Sequence, residues 1–393
     1  MKLNIPRGAT FIIDRLESAG YRADVVGGSV RDAMLGKHPD DFDITTSALP
    51  NQVKDIFSDV RTVDTGLKHG TVTVVLDDGQ YEVTTYRIDG EYTDARHPSE
   101  VTFTDDITLD LARRDFTVNA MAYSPRHGLT DIFSGESDLR EGIIRAVGRA
   151  EDRLSEDALR IMRAIRFSSK LDFRIEDGLR TAIFKMSDRL RQVSVERIYT
   201  EWVKLLSGIG AYRVLLEYRE IIVGIFPELR ELRLPDAERF SSADATLRAL
   251  SLFALNSREE EYEAAMRRMR TDNATRINGK IALSLFGAFA ECDEIRIKEA
   301  YIKYSLAQLE LAVALAVLVT GKGREAGELI DALRREGIPA RVGELSVGGE
   351  DIMALGARGA DVGRVLNALL RACVMGEVGN TENELMSLAT RLL

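Results

Sequence analysis

Cysteine, histidine and tryptophan are scarce in this chain of 393 residues, and the first two shortages exclude particular chemistries. Cys292 and Cys373 stand too far apart in sequence for a CxxC metal site and offer no disulfide framework, so both are expected to be buried thiols. The histidines, His38, His69, His97 and His127, all fall in the first third, which confines histidine-based metal or acid/base chemistry to that part. Long apolar runs are missing too: Leu311 to Val319 is too short to span a bilayer. The N-terminus MKLNIPRGATFIIDRL reads as an amphipathic helix start without a continuous apolar leader. A cytoplasmic protein with no membrane partner is expected. Excess positive charge is also lacking, since 53 Lys and Arg against 63 Asp and Glu give a net charge of −10. That balance argues against indiscriminate nucleic-acid binding, though it leaves room for a local basic face.

What is present describes a globular chain, with 45% hydrophobic and 30% charged residues. Its length exceeds one ordinary core, so two or more domains are expected. The most informative stretch is Asp24 to Thr46. Asp24-Val25-Val26 reads as a short buried strand, Gly27-Gly28 as a sharp turn, and Ser29 as the cap of a helix from Val30 to Gly36. A glycine turn feeding a helix start is a phosphate cradle. Asp41-Phe42-Asp43-Ile44 then places two carboxylates at i and i+2, on one face of a strand. Paired carboxylates beside a phosphate cradle point to a divalent metal.

Further along, residues 8 to 19 and 51 to 57 read as helices, and strands 71–76 and 81–87 flank the hairpin signal Asp77-Asp78-Gly79. Glu82 on the second of these strands is a possible third metal carboxylate, or else a solvated edge residue. Ile88 to Thr108 shows no sustained period and reads as a long loop. It ends at LDLARRDFTVNA, read as the start of a helix, where Arg113 or Arg114 can bind phosphate oxygens bidentately or pair with Asp110 or Asp115. Short strands are expected around Asp131-Ile132-Phe133 and Ile143 to Val147. Beyond Gly148 the pattern becomes helical, which marks a domain boundary.

The first helix past that boundary is expected to be capped by Ser155 and to bury Leu159, Met162 and Ile165. Asp157 and Arg160 stand at i and i+3 on it. They can form an intrahelical ion pair, or they can read a base. Cytosine and adenine each offer an exocyclic amine beside a ring-nitrogen acceptor, which one carboxylate and one guanidinium match while rejecting uracil and guanine. Arg163 and Arg166 extend the basic character, and Trp202 is expected in the core.

The ordered set GGSVRD, DDFDITTS, RRDFTVNAMAY, SEDALRIMRAIRF and SVERIYTEW resembles the bacterial class II tRNA nucleotidyltransferases, the CCA-adding enzymes of the polymerase-beta superfamily. The resemblance implies an α+β fold: a polymerase-beta-like head with a small mixed sheet at 1–148, then an all-α neck at 149–206, body at 207–270 and tail at 271–393. It implies addition of CCA to tRNA 3′ ends from CTP and ATP without a template, the tRNA held at its acceptor stem and elbow. Asp41 and Asp43 would hold two Mg²⁺ ions. Gly27, Gly28, Ser29, Arg31 and Asp32 would surround the triphosphate. Arg114 and Asn119 match the triphosphate and ribose contacts, Asp157 and Arg160 the base-reading pair, and Asp115 and Arg163 join the nucleotide-binding set. The loop at Ile88–Thr108 is shortened in relatives that stop after CC. Its full length here implies addition of the terminal A. No histidine follows His127, which argues against the histidine-rich phosphohydrolase domain of some relatives. An A-only enzyme, a bacterial poly(A) polymerase and an RNA-binding protein that has lost turnover are the alternatives.

Overall fold

The computed structural model describes residues 3–39, 41–67, 70–90 and 101–393, and the chain divides into two compact units, 1–214 and 215–393. His69 and His97, like much of the Ile88–Thr108 loop, lie outside the described residues.

The first unit opens with α1 (Arg7–Ser18), which buries Ala9, Ile12, Ile13 and Leu16 on one stripe and stops at Gly20. There follow β1 (Ala23–Val26), α2 (Gly28–Met34), β2 (Ile44–Thr46), α3 (Pro50–Ile56), β3 (Thr62–Gly66), β4 (Thr71–Leu76) and β5 (Gly79–Thr85). The expected hairpin is β4–β5, closing at Leu76 and Gly79 around Asp77-Asp78. Next come β6 (Arg87–Asp89), β7 (Val101–Phe103), α4 (Ile107–Ala112), β8 (Met121–Ser124), β9 (Gly128–Asp131), α5 (Gly135–Glu141) and β10 (Ile143–Ile144).

Seven strands form a mixed sheet in the order β3-β4-β5-β2-β1-β8-β9. Only β2 and β5 run parallel within it; the other neighbours are antiparallel. The central strands β1 and β2 are buried on both faces, which explains their apolar and small-polar composition apart from Asp24, a buried carboxylate that Arg22 pairs at 3.0 Å.

Three local expectations change. The ends of the 88–108 segment are a two-stranded ribbon, with Arg87–Asp89 antiparallel to Val101–Phe103. The RRDFT segment ends a helix instead of starting one: α4 closes at Ala112, and a single tight turn at Thr117–Asn119 leads into β8. The strand expected at 131–133 lies earlier, because β9 pairs with β8 from Ser124↔Gly128 to Met121↔Asp131.

Past Gly148 come α6 (Ala150–Glu156), α7 (Leu159–Leu171), β11 (Arg174–Ile175), α8 (Asp177–Met186) and α9 (Val195–Leu206). The helix expected to begin at Ser155 is two helices that break at Asp157, which is extended at φ −139° and ψ 106°. Ser155 Oγ donates back to the Asp152 carbonyl at 2.7 Å, whereas Asp157 Oδ1 accepts the Leu159 N–H at 2.9 Å and caps α7. Leu159, Met162 and Ile165 are buried, and Trp202 is 1% exposed. β11 pairs in parallel with β10, so hydrogen bonding crosses the composition shift at Gly148 within the first unit.

The second unit is helical throughout its described residues. Its apolar helix Leu306–Thr320, half-buried rather than fully buried, packs on Asn273–Ala290 and Ala245–Asn256. A separate cluster of Val347, Ile352, Val365, Leu369, Cys373 and Leu385 organises the C-terminal helices. Among the described residues no helix is long and apolar enough to cross a membrane.

Candidate functional site

The turn between β1 and α2 is made by backbone conformation rather than by a side-chain cap. Gly27 adopts φ 78° and ψ −127° at the N-cap, in a region that L side chains avoid. The helix therefore begins at Gly28, two residues ahead of the expected start. Ser29 lies within it, donating from Oγ to the Val26 carbonyl at 3.2 Å, so it is not the cap. A Cβ on Gly27 would stand 3.0 Å from Arg114 Nη1, so the missing side chain is what lets the guanidinium lie against the turn. Arg114 Nη2 donates to Asp110 Oδ2 at 3.4 Å, while its Nε is shut off from solvent without a hydrogen-bond partner. Burial pushes this guanidinium below the usual arginine range against the pull of Asp110.

Asp41 and Asp43 lie just ahead of β2, outside the strand proper. The ladder nonetheless reaches Asp43, whose carbonyl accepts the Val26 N–H at 3.0 Å. The i, i+2 alternation holds, with Asp41 and Asp43 exposed and Ile44 buried. One step back from the Ile44↔Val83 pairing of β2 and β5, the register sets Asp43 beside Glu82. Protein surroundings push the Asp43 carboxyl up, Arg114 opposes this, and Asp41 adds to it. Glu82 is raised likewise, by burial and then by Asp43 and Asp41. Hard oxygen donors that repel one another, as Asp41 and Asp43 do, suit a divalent cation. Among the described residues no group of three or more metal-binding side chains stands close enough to hold an ion, so Glu82 does not complete a three-ligand set, and the Asp41–Asp43 pair fits an ion that shares its coordination with a ligand's oxygens.

Behind this face runs a chain of ion pairs. Arg31 donates from Nε to Asp32 at 2.7 Å and from Nη1 to Asn119 Oδ1 at 2.6 Å. Asn119 donates to Asp115 Oδ1 at 3.0 Å, and Arg163 donates twice to Asp115 Oδ2 at 2.9 and 2.6 Å. Burial would raise the Asp115 carboxyl, but Arg163 and these hydrogen bonds hold it at about 2. Glu201 of α9 bonds Arg166, and Lys170 reaches Asp32 at 3.4 Å. Phe167 packs among the guanidiniums of Arg31, Arg163 and Arg166, at 5.0, 5.5 and 3.8 Å from its ring centre.

Asp157 and Arg160 are not paired with one another. Asp157 Oδ2 accepts from Arg197 Nη2 at 2.7 Å, and Arg160 bonds Glu156 and the carbonyls of Arg153 and Arg113, the latter two at 3.0 and 3.1 Å. Of the two roles open to Arg113 and Arg114, pairing with Asp110 is realised by both. The residues brought together without a signal of their own in the sequence are Glu156, Arg197 and Glu201. Arg197 and Glu201 do fall inside the SVERIYTEW segment, a cue to their proximity.

Residues 23–145 match the family described as poly A polymerase head domain, and residues 172–232 match that described as probable RNA and SrmB-binding site of polymerase A. The CCA-adding enzyme of Lactobacillus delbrueckii subsp. bulgaricus is 35% identical, over 94% of this chain and 94% of that protein. The CCA-adding enzyme of Lactiplantibacillus plantarum is 37% identical over 96% and 94%. The crystal structure of the Bacillus stearothermophilus CCA-adding enzyme in complex with CTP is similar at 34% identity and a TM-score of 0.84, covering 98% of this chain and 96% of that one. With similarity of this extent along the whole chain, above a glycine turn, a carboxylate pair and a cluster of arginines in the expected order, the chain belongs to the family of CCA-adding enzymes.

Proposed function

We propose that this chain adds CCA to the 3′ end of tRNA from CTP and ATP, without a template, releasing pyrophosphate. The observation that carries the reading is the meeting of Asp41 and Asp43 with the Gly27 turn and the Arg114 guanidinium, whose Nε lacks a partner. In the reaction the terminal 3′-hydroxyl oxygen of the tRNA forms a bond to the α-phosphorus, and the bond to the pyrophosphate oxygen breaks. Arg114 and Arg31 offer guanidinium N–H donors where the triphosphate charge would lie. Gly27 and Gly28 allow the close backbone approach. Asp41 and Asp43 would hold magnesium, which supplies neutralisation of phosphate charge and a lowered hydroxyl pKa when bound.

Asp157 and Arg160 would read the base. Arg197 orients Asp157 as an acceptor, and Glu156 with two backbone carbonyls fixes Arg160. One acceptor and one donor group suit both cytosine and adenine. Asn119 and Asp115 back Arg31 and Arg163, in the places assigned to ribose and phosphate contacts. Head, neck, body and tail at 1–148, 149–206, 207–270 and 271–393 are the functional divisions we assign, with tRNA contacts in body and tail, in a cytoplasmic protein.

Purified protein, Mg²⁺ and a tRNA transcript lacking CCA test the reading by counting labelled residues. Two C and one A are expected. A alone, a long A tract or no incorporation would each select a different reading. Asp43→Ala should abolish incorporation, and unchanged incorporation would remove the metal assignment.

A further inference from the structure

Asp110, on α4, has none of its surface exposed. Three parts of the first unit converge on its carboxylate. Arg113 donates to Oδ1 from Nε and Nη2 at 3.0 and 2.8 Å, and the Arg87 backbone N–H, at the start of the β6–β7 ribbon, reaches the same oxygen at 3.3 Å. Thr45 Oγ1, two positions beyond Asp43 on β2, lies 3.3 Å from Oδ2 and from the Thr84 carbonyl and divides its one proton between them, and Arg114 Nη2 donates to Oδ2 at 3.4 Å. Burial disfavours the charged form, but Arg113 and Arg114 outweigh it and keep the carboxyl below its usual range. A buried carboxylate with this many donors has one stable orientation, and the groups around it inherit that orientation. Arg114 depends on it most, because its Nε has no partner and its Nη1 lies against the Gly27 turn.

We infer that Asp110 is a positioning residue: it holds the Arg114 guanidinium against the Gly27 turn and fastens the β6–β7 ribbon to the strand that follows the carboxylate pair, so that nucleotide phosphate binding depends on it although it touches no substrate. The inference rests on the nucleotidyltransferase reading.

Four proteins test it: wild type, Asp110→Asn, Arg114→Ala and the double variant. Asparagine keeps the size and one acceptor oxygen and removes the charge. With the tRNA transcript lacking CCA, Asp110→Asn should raise the KM for CTP by ~10-fold, about 1.4 kcal/mol, while kcat changes by less than ~3-fold. If Asp110 acts through Arg114, the double variant should match Arg114→Ala within ~2-fold. A KM unchanged by Asp110→Asn, or a double variant showing the product of the single effects, would overturn the inference. A purely structural role would lower the active fraction, and hence kcat, leaving KM alone. Should Asp110→Asn fail to fold by circular dichroism, Thr45→Val removes one donor and keeps the charge. A KM raised by ~3-fold is expected there, and no change would overturn the inference. A wild-type chain inert toward CTP would refute the proposed function instead. Calorimetric titration of CTP into the same proteins would then decide on the role of Asp110 by the same comparison.

Discussion

Replacing Asp115 with asparagine should expose how much of the site's stability is electrostatic. Its carboxyl titrates at about 2 in the folded chain against an ordinary value of 3.8. Converted by linkage, that difference is about 2 kcal/mol favouring the fold at neutral pH. Because the folded pKa is depressed, the contribution is fully present above the unfolded value near 4, falls to roughly half by about pH 3, and is lost as pH drops through about 2. Asparagine also forfeits the paired donation from Arg163 Nε and Nη2, leaving that guanidinium less well opposed. Calorimetric melting of wild type and variant across pH 7 to 3 measures the gap. At roughly 2 to 4 °C per kcal/mol for a unit of this size, the melting transition of the first unit should drop by about 4 to 8 °C at pH 7 and by about half that at pH 3. Equal melting at pH 7, or a gap that does not narrow toward pH 3, would refute the reasoning. In the same variant the KM for CTP should rise, because Asn119 and Arg163 lose a shared acceptor.

Three further outcomes follow from the geometry. Gly27→Ala forces a side chain into φ 78° and against Arg114 at 3.0 Å, so it should destabilise by about 1 to 3 kcal/mol and raise the KM for CTP, read by melting and steady-state kinetics. Arg197→Gln removes a charge-assisted bond of 2.7 Å from Asp157, and discrimination of CTP over UTP in a competition assay should fall by ~10-fold; unchanged selectivity would sever Asp157 from base reading. Leu369→Ala, at 0% exposure in the C-terminal cluster, should cost about 2 to 5 kcal/mol by chemical denaturation while leaving the KM for CTP unaltered.

The alternation of Asp41 and Asp43 was legible because a period of two survives even where the strand has not formally begun. The β4–β5 hairpin was legible because Asp-Asp-Gly states its own turn. The start of α2 is not legible in the sequence, because a glycine conformation replaces the side-chain cap while Ser29 is of a residue type that caps. The break at Asp157 is hidden because Leu159, Met162 and Ile165 continue a helical period that α6 shares, while one extended residue interrupts the backbone. The ion-pair chain was out of reach altogether. Lys170 and Asp32 stand 138 positions apart, and no local pattern selects one partner among many acidic residues at such a distance. The resemblance singled out most residues of the face where substrate would sit, and the structure added Glu156 and Glu201 and showed which guanidinium each acid holds.

Those acids change how the positive charge near Phe167 and Gly27 should be understood. Arg31, Arg114, Arg160, Arg163 and Arg166 each already hold a carboxylate: Asp32, Asp110, Glu156, Asp115 and Glu201. A triphosphate reaching these residues meets a lattice of ion pairs, in which Asp32 and Asp110 also serve Lys170 and Arg113, so its binding is a partner exchange in which phosphate oxygens take over N–H donors or share them with resident carboxylates. Such a lattice exerts little pull at a distance and discriminates at contact, where geometry decides which oxygen wins each guanidinium. In a chain of net charge −10, selectivity of this kind lets a polyanion be held without turning the surface into a general polyanion sink.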